Sequence, residues 1–507
     1  MWTKDALQEL IRDRLSGHRF FVVANREPYL HQYVGNRVVC VPPVSGMVSA
    51  LDPILRASGG TWVAHGSGSA DRRTADARGR LRVPPDDPKY LLRRVWLTKQ
   101  QEEGYYNGLA NQGLWPLCHT AFTRPVFDPR HWPVYREVNE LFAKATLEEA
   151  GDQPAFVFVQ DYHFGLVPRM LKTANANLIV AQFWHIPWPG VKSFETFPWK
   201  EELLDGLLGN DLLGFHLRSH CLHFLETVER TLEAKVDYER MEVIRGGKAT
   251  VVRPFPISID YEAHCREADS EAVTREAERW RHQVGLTEEF LGIGIDRIDY
   301  TKGIPERLRA LDRFLELNPE YRGRLVFVQI GVPSRMHVPA YQHLDDEIDQ
   351  IVDDVNWRWG YENWKPIIYL KRQFTGPEMM ALHRLATFCV VSSLDDGMNL
   401  VSKEFVASRT DGDGVLILSR FAGASRELTG ALLVNPFAAD ELSDAIRQAL
   451  TMPEEDRRRR MAKMREAVAA NNVYRWAGKF LSALTQFEFP EASPNGSSMS
   501  LQRVRAA

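Results

Sequence analysis

Short, continuously apolar runs alternate with longer stretches of helical spacing along most of this chain. Phe20 to Ala24 (FFVVA) reads as a buried strand, and Met47 to Arg56 as a helix after it. Thr61 to Ala64, Phe156 to Val159 and Leu178 to Phe183 read as further strands, separated by helical patterns such as Trp132 to Glu149 and Trp199 to Leu207. A strand apolar at every position is covered on both faces. The pattern therefore predicts a parallel sheet between helical layers. Around Val243 to Pro254, IRGGK between two β-rich runs predicts a hairpin.

After Pro254-Phe255-Pro256 the alternation starts afresh. Strands are expected at Phe290 to Ile295, Leu325 to Ile330, Ile367 to Leu370, Phe388 to Val391, Val415 to Leu418 and Leu432 to Val434. Helices are expected at Pro305 to Leu317 and Tyr341 to Val355. A boundary near residue 256 thus divides two doubly wound α/β halves. In such sheets ligands bind at the carboxyl ends of the strands, so the chemistry is expected in the loops that follow them, in a cleft between the halves.

Composition narrows the function classes. At ~150 residues per domain, 507 residues allow two or three domains. Hydrophobic residues at 44% and charged residues at 26% fit a soluble globular protein and exclude collagen-like, disordered and disulfide-scaffold classes. With 63 basic against 67 acidic residues, the formal charge of −4 supplies no global field for nucleic acid or an anionic membrane. Any anion site must be local. Cys40, Cys118, Cys221, Cys265 and Cys389 are odd in number and scattered, as reduced cysteines are. The amphipathic, acid-bearing start MWTKDALQELIRDRL is neither a signal nor a transit peptide, and no apolar run reaches the ~20 residues of a membrane span. The expected compartment is the cytoplasm. The basic run Arg457 to Arg460 and the acidic run Asp345 to Asp354 are read as solvated helix faces, not as a nucleic-acid patch or a metal site. No internal repeat is visible.

Two segments carry the strongest chemistry. In Gly294-Ile-Asp-Arg297-Ile-Asp-Tyr-Thr-Lys302-Gly-Ile-Pro-Glu-Arg307, a buried strand ends in a loop presenting two cations, and Gly303 and Pro305 open the next helix. Two cations and free N–H groups at a helix start suit a diphosphate; the alternative is a surface loop whose cations pair with Asp296 and Asp299. In Asp395-Asp396-Gly397-Met398-Asn399-Leu400-Val401-Ser402-Lys403-Glu404, a strand turns through glycine into a helix. Asp396 and Glu404 there suit sugar or ribose hydroxyls, and the N–H groups at 397 to 400 suit a phosphate or a sugar. The alternative is an N-capping Asp with an exposed Glu.

The first half offers Asn25-Arg26 at a strand end, Gly46 opening a helix, the aromatics Tyr105, Tyr106 and Trp115, and the strand-end groups Asp161-Tyr162-His163 and His185-Ile-Pro-Trp188. Arg335 follows a strand of the second half. No GxGxxG opens a helix after a strand, and GxxxxGK[ST] and GxSxG are absent, which disfavours a dinucleotide oxidoreductase, a P-loop enzyme and an α/β-hydrolase.

These motifs resemble the trehalose-6-phosphate synthases. The match rests on RIDYTKGIPER (Arg297 to Arg307), DGMNLVSKE (Asp396 to Glu404), YYNGLANQGLW (Tyr105 to Trp115), Asp161 to His163 and His185 to Pro187, in order, over about residues 20 to 485. The resemblance implies a retaining, metal-independent GT-B glycosyltransferase with no cofactor beyond its UDP-glucose co-substrate. It implies two facing Rossmann-like domains with an interdomain cleft: 1–256 for the acceptor and 257–475 for the nucleotide sugar. A helix at 476–490 would cross back to the first domain, and 491–507 would be a disordered tail. Arg297 and Lys302 would hold the diphosphate and Glu404 the ribose. Asp396 and the backbone from Gly397 through Met398 and Asn399 to Leu400 would grip the donor glucose, with His185, while Gly46 would bring N–H groups to the distal phosphate. Arg26 and Arg335, with Tyr106, would clamp the phosphate of glucose 6-phosphate, and Trp115 and Asp161 would place its ring. The catalytic set would be Asp161, His185, Arg297, Lys302 and Asp396, with Asp161 positioning and the leaving phosphate taking the acceptor's proton in a front-face attack. Small-molecule substrates are the expected partners, nucleic acid and membrane are not, and a homo-oligomer stays open.

Asp395, Ser45, Gln160, Trp184 and Trp188 depart from the family pattern, as does the stretch Gly66 to Gln101. They leave open another phosphorylated acceptor, such as the glycerol 3-phosphate of glucosylglycerol-phosphate synthases, and a catalytically silent sugar-phosphate sensor.

Overall fold

A computed structural model describes residues 2–41, 46–283 and 290–489. Ser45 and the tail expected at 491–507 lie outside the described residues. The chain forms two compact units, one of Met1–Ile257 with the chain from Tyr474 onward, the other of Ser258–Val473.

In the first unit the apolar runs become parallel strands β1 (Arg19–Ala24), β2 (Thr61–His65), β3 (Tyr90–Val95), β4 (Ala155–Gln160), β5 (Leu178–Phe183), β6 (Leu212–Phe215) and β7 (Lys248–Pro254). Their spatial order is β3-β2-β1-β4-β5-β6-β7, so the winding reverses at β1. Strands β4 and β5 are buried at every position, Gln160 and Gln182 included, as their largely apolar runs demand. The expected hairpin pairs Glu242–Arg245 with β7 around Gly246-Gly247, whose φ values of +57° and +76° suit the two-residue turn that matches strand twist. An unforeseen second hairpin pairs Leu30–Val34 with Arg37–Val41. The helix Val473–Leu484 packs on this sheet: Phe480 stacks on Phe158 at 4.1 Å and Trp476 meets Phe183 edge-on at 5.3 Å.

In the second unit β8 (Phe290–Arg297), β9 (Leu325–Val332), β10 (Ile367–Leu370), β11 (Phe388–Val391), β12 (Val415–Ser419) and β13 (Leu432–Val434) are all parallel. Their order β10-β9-β8-β11-β12-β13 reverses between β8 and β11. Loops leaving those two strands diverge to opposite faces and open a crevice at their carboxyl ends.

The charged runs are surface features. Arg457 and Arg458 pair with Asp413 and Glu454 at 2.7 and 2.8 Å, and Arg459 with Asp456 at 2.6 Å. On the helix Pro339–Trp359, Asp345 and Asp349 pair with Lys371, and Glu347 with Arg309. All five cysteines are free. Among the described residues no helix is long and apolar enough to cross a membrane.

Candidate active site

In the second unit, the loop after β8 winds through Asp299 into a 3-10 turn, Tyr300–Lys302, and then into the helix Ile304–Leu317. Gly303 joins turn to helix at φ +62°, a left-handed conformation. A Cβ there would lie 2.2 Å from the Ser392 carbonyl oxygen of the next loop, so only glycine fits. The loops after β8 and β11 are stitched together: the Leu394 N–H donates to the Thr301 carbonyl at 2.7 Å, and the Ser392 hydroxyl to that of Gly303 at 2.7 Å.

Across this seam Lys302 Nζ donates to Asp396 Oδ2 at 2.5 Å. The same oxygen accepts from Asn399 Nδ2 at 3.2 Å and Ser393 Oγ at 3.3 Å. Asn399, not Asp396, caps the helix Leu400–Ser408, its Oδ1 accepting from the Ser402 N–H at 2.9 Å. Gly397 and Met398 are buried in the turn between, and Leu400 opens the helix. Glu404, a turn along, is not exposed. No partner for its carboxylate is found among the described residues, and burial pushes its pKa up to about 7. The alternative of a capping Asp with an exposed Glu does not hold.

The surface-loop alternative for the first segment holds in part: the loop is largely buried, but Arg297 does pair with Asp299. Asp296 is taken by the buried Arg307, 2.7 Å away. Asp299 is fully buried, and its Oδ2 lies 4.0 Å from Arg297 Nη2 and 3.5 Å from Arg335 Nη1. Through Asp299 and Asp396 the loops after β8, β9 and β11 bring Arg297, Arg335 and Lys302 toward one another, and Glu404 lies further along the helix that Asn399 caps.

In the first unit the ends of the neighbouring strands β1, β4 and β5 carry Arg26, Asp161 and His185. Arg26 is exposed, and its carbonyl is held by Trp62 Nε1 at 3.1 Å. Residues Glu102–Leu114 form a π-helix, a winding that is rare and recurs at functional sites. From it the buried Tyr105 donates to Asn25 Oδ1 at 3.1 Å, while Tyr106 stacks on His163 at 5.5 Å and 11°. Trp115 lies 5.9 Å from Tyr162 and 4.2 Å from His119, centroid to centroid. Gly46 is the first residue of the helix Gly46–Ser58.

Asp161 Oδ1 accepts the N–H groups of Tyr162 at 2.9 Å and His185 at 3.2 Å. The Gln160 amide donates to the Val159 carbonyl at 3.2 Å, which turns its oxygen to His185 Nε2 at 3.0 Å. His185 must then carry its proton on Nε2 and present Nδ1 as an acceptor. Burial lowers its pKa to about 3, so it stays neutral. Trp184 and Trp188 are core residues. Their bulk fills the interior of the first unit.

Strain marks these loops. Six non-glycine residues among those described have positive φ, and three of them are Asp161 (+72°), Arg335 (+53°) and Asn399 (+84°). Such conformations cost roughly 1–3 kcal/mol each and cluster at functional sites. Sequence reasoning gave no role to Ser393 or Tyr341, noted Asn25 only beside Arg26 at its strand end, and gave Asp299 only as a partner of the loop cations in the alternative reading. Only Asp299 had a readable signal, the Asx-type turn in Asp299-Tyr300-Thr301.

Residues 18–486 match glycosyltransferase family 20. The chain is 38% identical over 487 residues to the trehalose-6-phosphate synthase of Mycolicibacterium vanbaalenii, covering 94% of this chain and 97% of that one. It is also 38% identical over 479 residues to the bifunctional trehalose-6-phosphate synthase/phosphatase of Thermoproteus tenax, covering 92% of this chain but only 63% of that relative. Among solved structures it is similar to a UDP-forming α,α-trehalose-phosphate synthase of Burkholderia xenovorans in complex with glucose 6-phosphate, with TM-score 0.82 and 28% identity. That match covers 92% of this chain and 100% of the other.

Proposed function

The chain belongs to glycosyltransferase family 20 and has its GT-B fold, and on that premise we propose that it transfers glucose from UDP-glucose to glucose 6-phosphate, giving trehalose 6-phosphate and UDP. The donor follows by balance: a disaccharide phosphate built on glucose 6-phosphate, with UDP released, requires glucose to arrive as UDP-glucose. The meeting of Arg297, Lys302 and Asp396 at the reversal of strand order carries this reading, since such crevices hold nucleotides.

Each residue has a task its surroundings suit. Arg297 and Lys302, with the N-terminus of the helix Ile304–Leu317, stabilise charge that develops on the leaving diphosphate. Asp396, held by three donors on one oxygen, and His185 Nδ1 accept from glucose hydroxyls. A neutral His185 cannot serve as the acid, which supports proton transfer to the leaving phosphate. Two backbone N–H groups occupy Asp161 Oδ1, which suits positioning and weakens it as a nucleophile. Arg26 and Arg335, with Tyr106, are assigned the acceptor phosphate, Trp115 and Asp161 its ring, and Gly46 the distal donor phosphate. Five free cysteines support a cytoplasmic location.

Incubation with UDP-glucose and glucose 6-phosphate is expected to release UDP and a phosphorylated, non-reducing disaccharide by mass spectrometry. UDP release with glycerol 3-phosphate alone, or with no acceptor phosphate at all, rejects the assignment.

The Glu404 assignment predicts a pH dependence. In the free protein the carboxyl is protonated below about 7, whereas ribose hydroxyls donate best to the ionised form. UDP binding should therefore release a proton and tighten with rising pH, by up to about tenfold per unit, levelling off above about 7. UDP loses its own phosphate proton in this range, so calorimetry on Glu404→Gln gives the baseline. A wild-type slope no steeper than the variant's removes Glu404 from the ribose.

A further inference from the structure

Asp299 lies within ion-pair distance of both a donor-side cation, Arg297, and the acceptor-side cation Arg335. Its Oδ1 accepts the Thr301 N–H at 3.1 Å and hydroxyl at 3.0 Å, fixing the turn that presents Lys302. Its Oδ2 faces both arginines and accepts the Tyr341 hydroxyl at 3.3 Å. That hydroxyl accepts from Arg335 Nη1 at 2.6 Å, so Tyr341 bridges Arg335 to the carboxylate. Asp299 and Tyr341 are buried, and the Arg335 side chain is 7% exposed on a backbone at φ +53°.

An anion buried this deeply is expensive unless cations and hydrogen bonds surround it, and here the surrounding cations are those assigned to two different substrates. The carboxylate is fully buried, its oxygens directed at Thr301, Tyr341 and the two arginines. Its effect passes through the turn that presents Lys302 and through the negative charge it offers Arg297 and Arg335, which would otherwise repel one another before any phosphate arrives.

We propose that Asp299 is a positioning residue that holds the donor-phosphate cations Arg297 and Lys302 and the acceptor-phosphate cation Arg335 in one preset array, with Tyr341 as the arm to Arg335. The inference rests on the substrate assignments proposed above. It separates two effects that a general structural role would mix: Tyr341 bears on the acceptor alone, Asp299 on both.

The test is steady-state kinetics with calorimetry of UDP and glucose 6-phosphate, on the full chain. Tyr341→Phe removes only the hydroxyl and keeps the ring against Tyr300, 5.3 Å away. It removes the short bond from Arg335 and the longer one to Asp299, which keeps Thr301 and Arg297 as partners, so it is expected to raise the glucose 6-phosphate KM and Kd by about tenfold or more while UDP Kd changes less than about twofold. Asp299→Asn is expected to weaken both ligands by about tenfold or more. A misfolded fraction would lower kcat and binding stoichiometry without moving either constant, so the KM-against-kcat split distinguishes it. Tyr341→Phe that leaves glucose 6-phosphate binding unchanged, or weakens UDP equally, overturns the inference, as does Asp299→Asn affecting one ligand only. Wild-type protein that binds UDP but no glucose 6-phosphate fails the acceptor assignment itself, and the inference with it.

Discussion

Lys302→Ala is expected to lower kcat with UDP-glucose by about 10²–10³-fold, the usual loss when a preorganised group aimed at developing charge is removed. The reason is local. Lys302 ends a 3-10 turn that Asp299 caps and Gly303 closes, and its ammonium is already held against Asp396 before substrate binds. The pair is 12% and 14% exposed, well shielded from the screening that makes surface ion pairs weak. Removing the lysine leaves Asp396 with Ser393 and Asn399 as donors, so the variant should fold but melt somewhat lower. A double variant, Lys302→Ala with Asp396→Asn, should recover part of that stability and none of the activity. Lys302→Arg should not rescue, because a planar fork cannot replace a compact charge at the end of this turn. Rates within about tenfold of wild type in Lys302→Ala would show that the leaving phosphate is stabilised elsewhere.

How much of this was legible depends on what each element had to hide. Strands buried on both faces are dominated by apolar residues, so β1, β4, β5, β8, β9, β11 and β12 stand out as apolar runs, while β10 and β13, at the sheet edges and partly exposed, are apolar without that necessity. Strand β6 is four residues, LLGF, too short to separate from the helix before it. Strand β3 carries Arg93 and Arg94, and nothing in the sequence says that Arg94 is fully buried. The hairpin of Leu30–Val34 with Arg37–Val41 has its signal in the Gly35-Asn36 turn between two short β-rich runs. The site divides in the same way. Charged strand-end residues and turn glycines are visible as letters. The π-helix that sets Tyr105 on Asn25, and the positive φ at Asp161, Arg335 and Asn399, are properties of backbone geometry that residue types do not encode.

Arg94 shows what such an unread burial does, and it leads to the largest stability change expected here. Its guanidinium is enclosed by Glu27 at 2.7 Å, Asp71 at 2.9 Å, the Tyr29 carbonyl at 3.0 Å and His31 Nδ1 at 2.8 Å. Burial, and a hydrogen bond with Asp71, push the Glu27 pKa up to about 8, so at neutral pH Glu27 is protonated and Arg94 balances Asp71 alone. Arg94→Met leaves the Asp71 carboxylate buried without its cation, a loss of roughly 3–5 kcal/mol and about 6–20 °C in Tm for a unit of this size. Glu27→Gln keeps the shape and the neutral charge, so it should cost less than about 1 kcal/mol. The sign with pH follows: the native state keeps the Glu27 proton up to about 8 while the unfolded chain loses it near 4.5. Stability should therefore fall as pH rises between those values, and Glu27→Gln should abolish that slope. Because Glu27 adjoins Arg26, calorimetric melts of the three proteins also report whether the strand-end loop assigned to the acceptor is anchored from behind. Equal losses in Arg94→Met and Glu27→Gln would mean that Glu27 is ionised and that the charge balance described here is wrong.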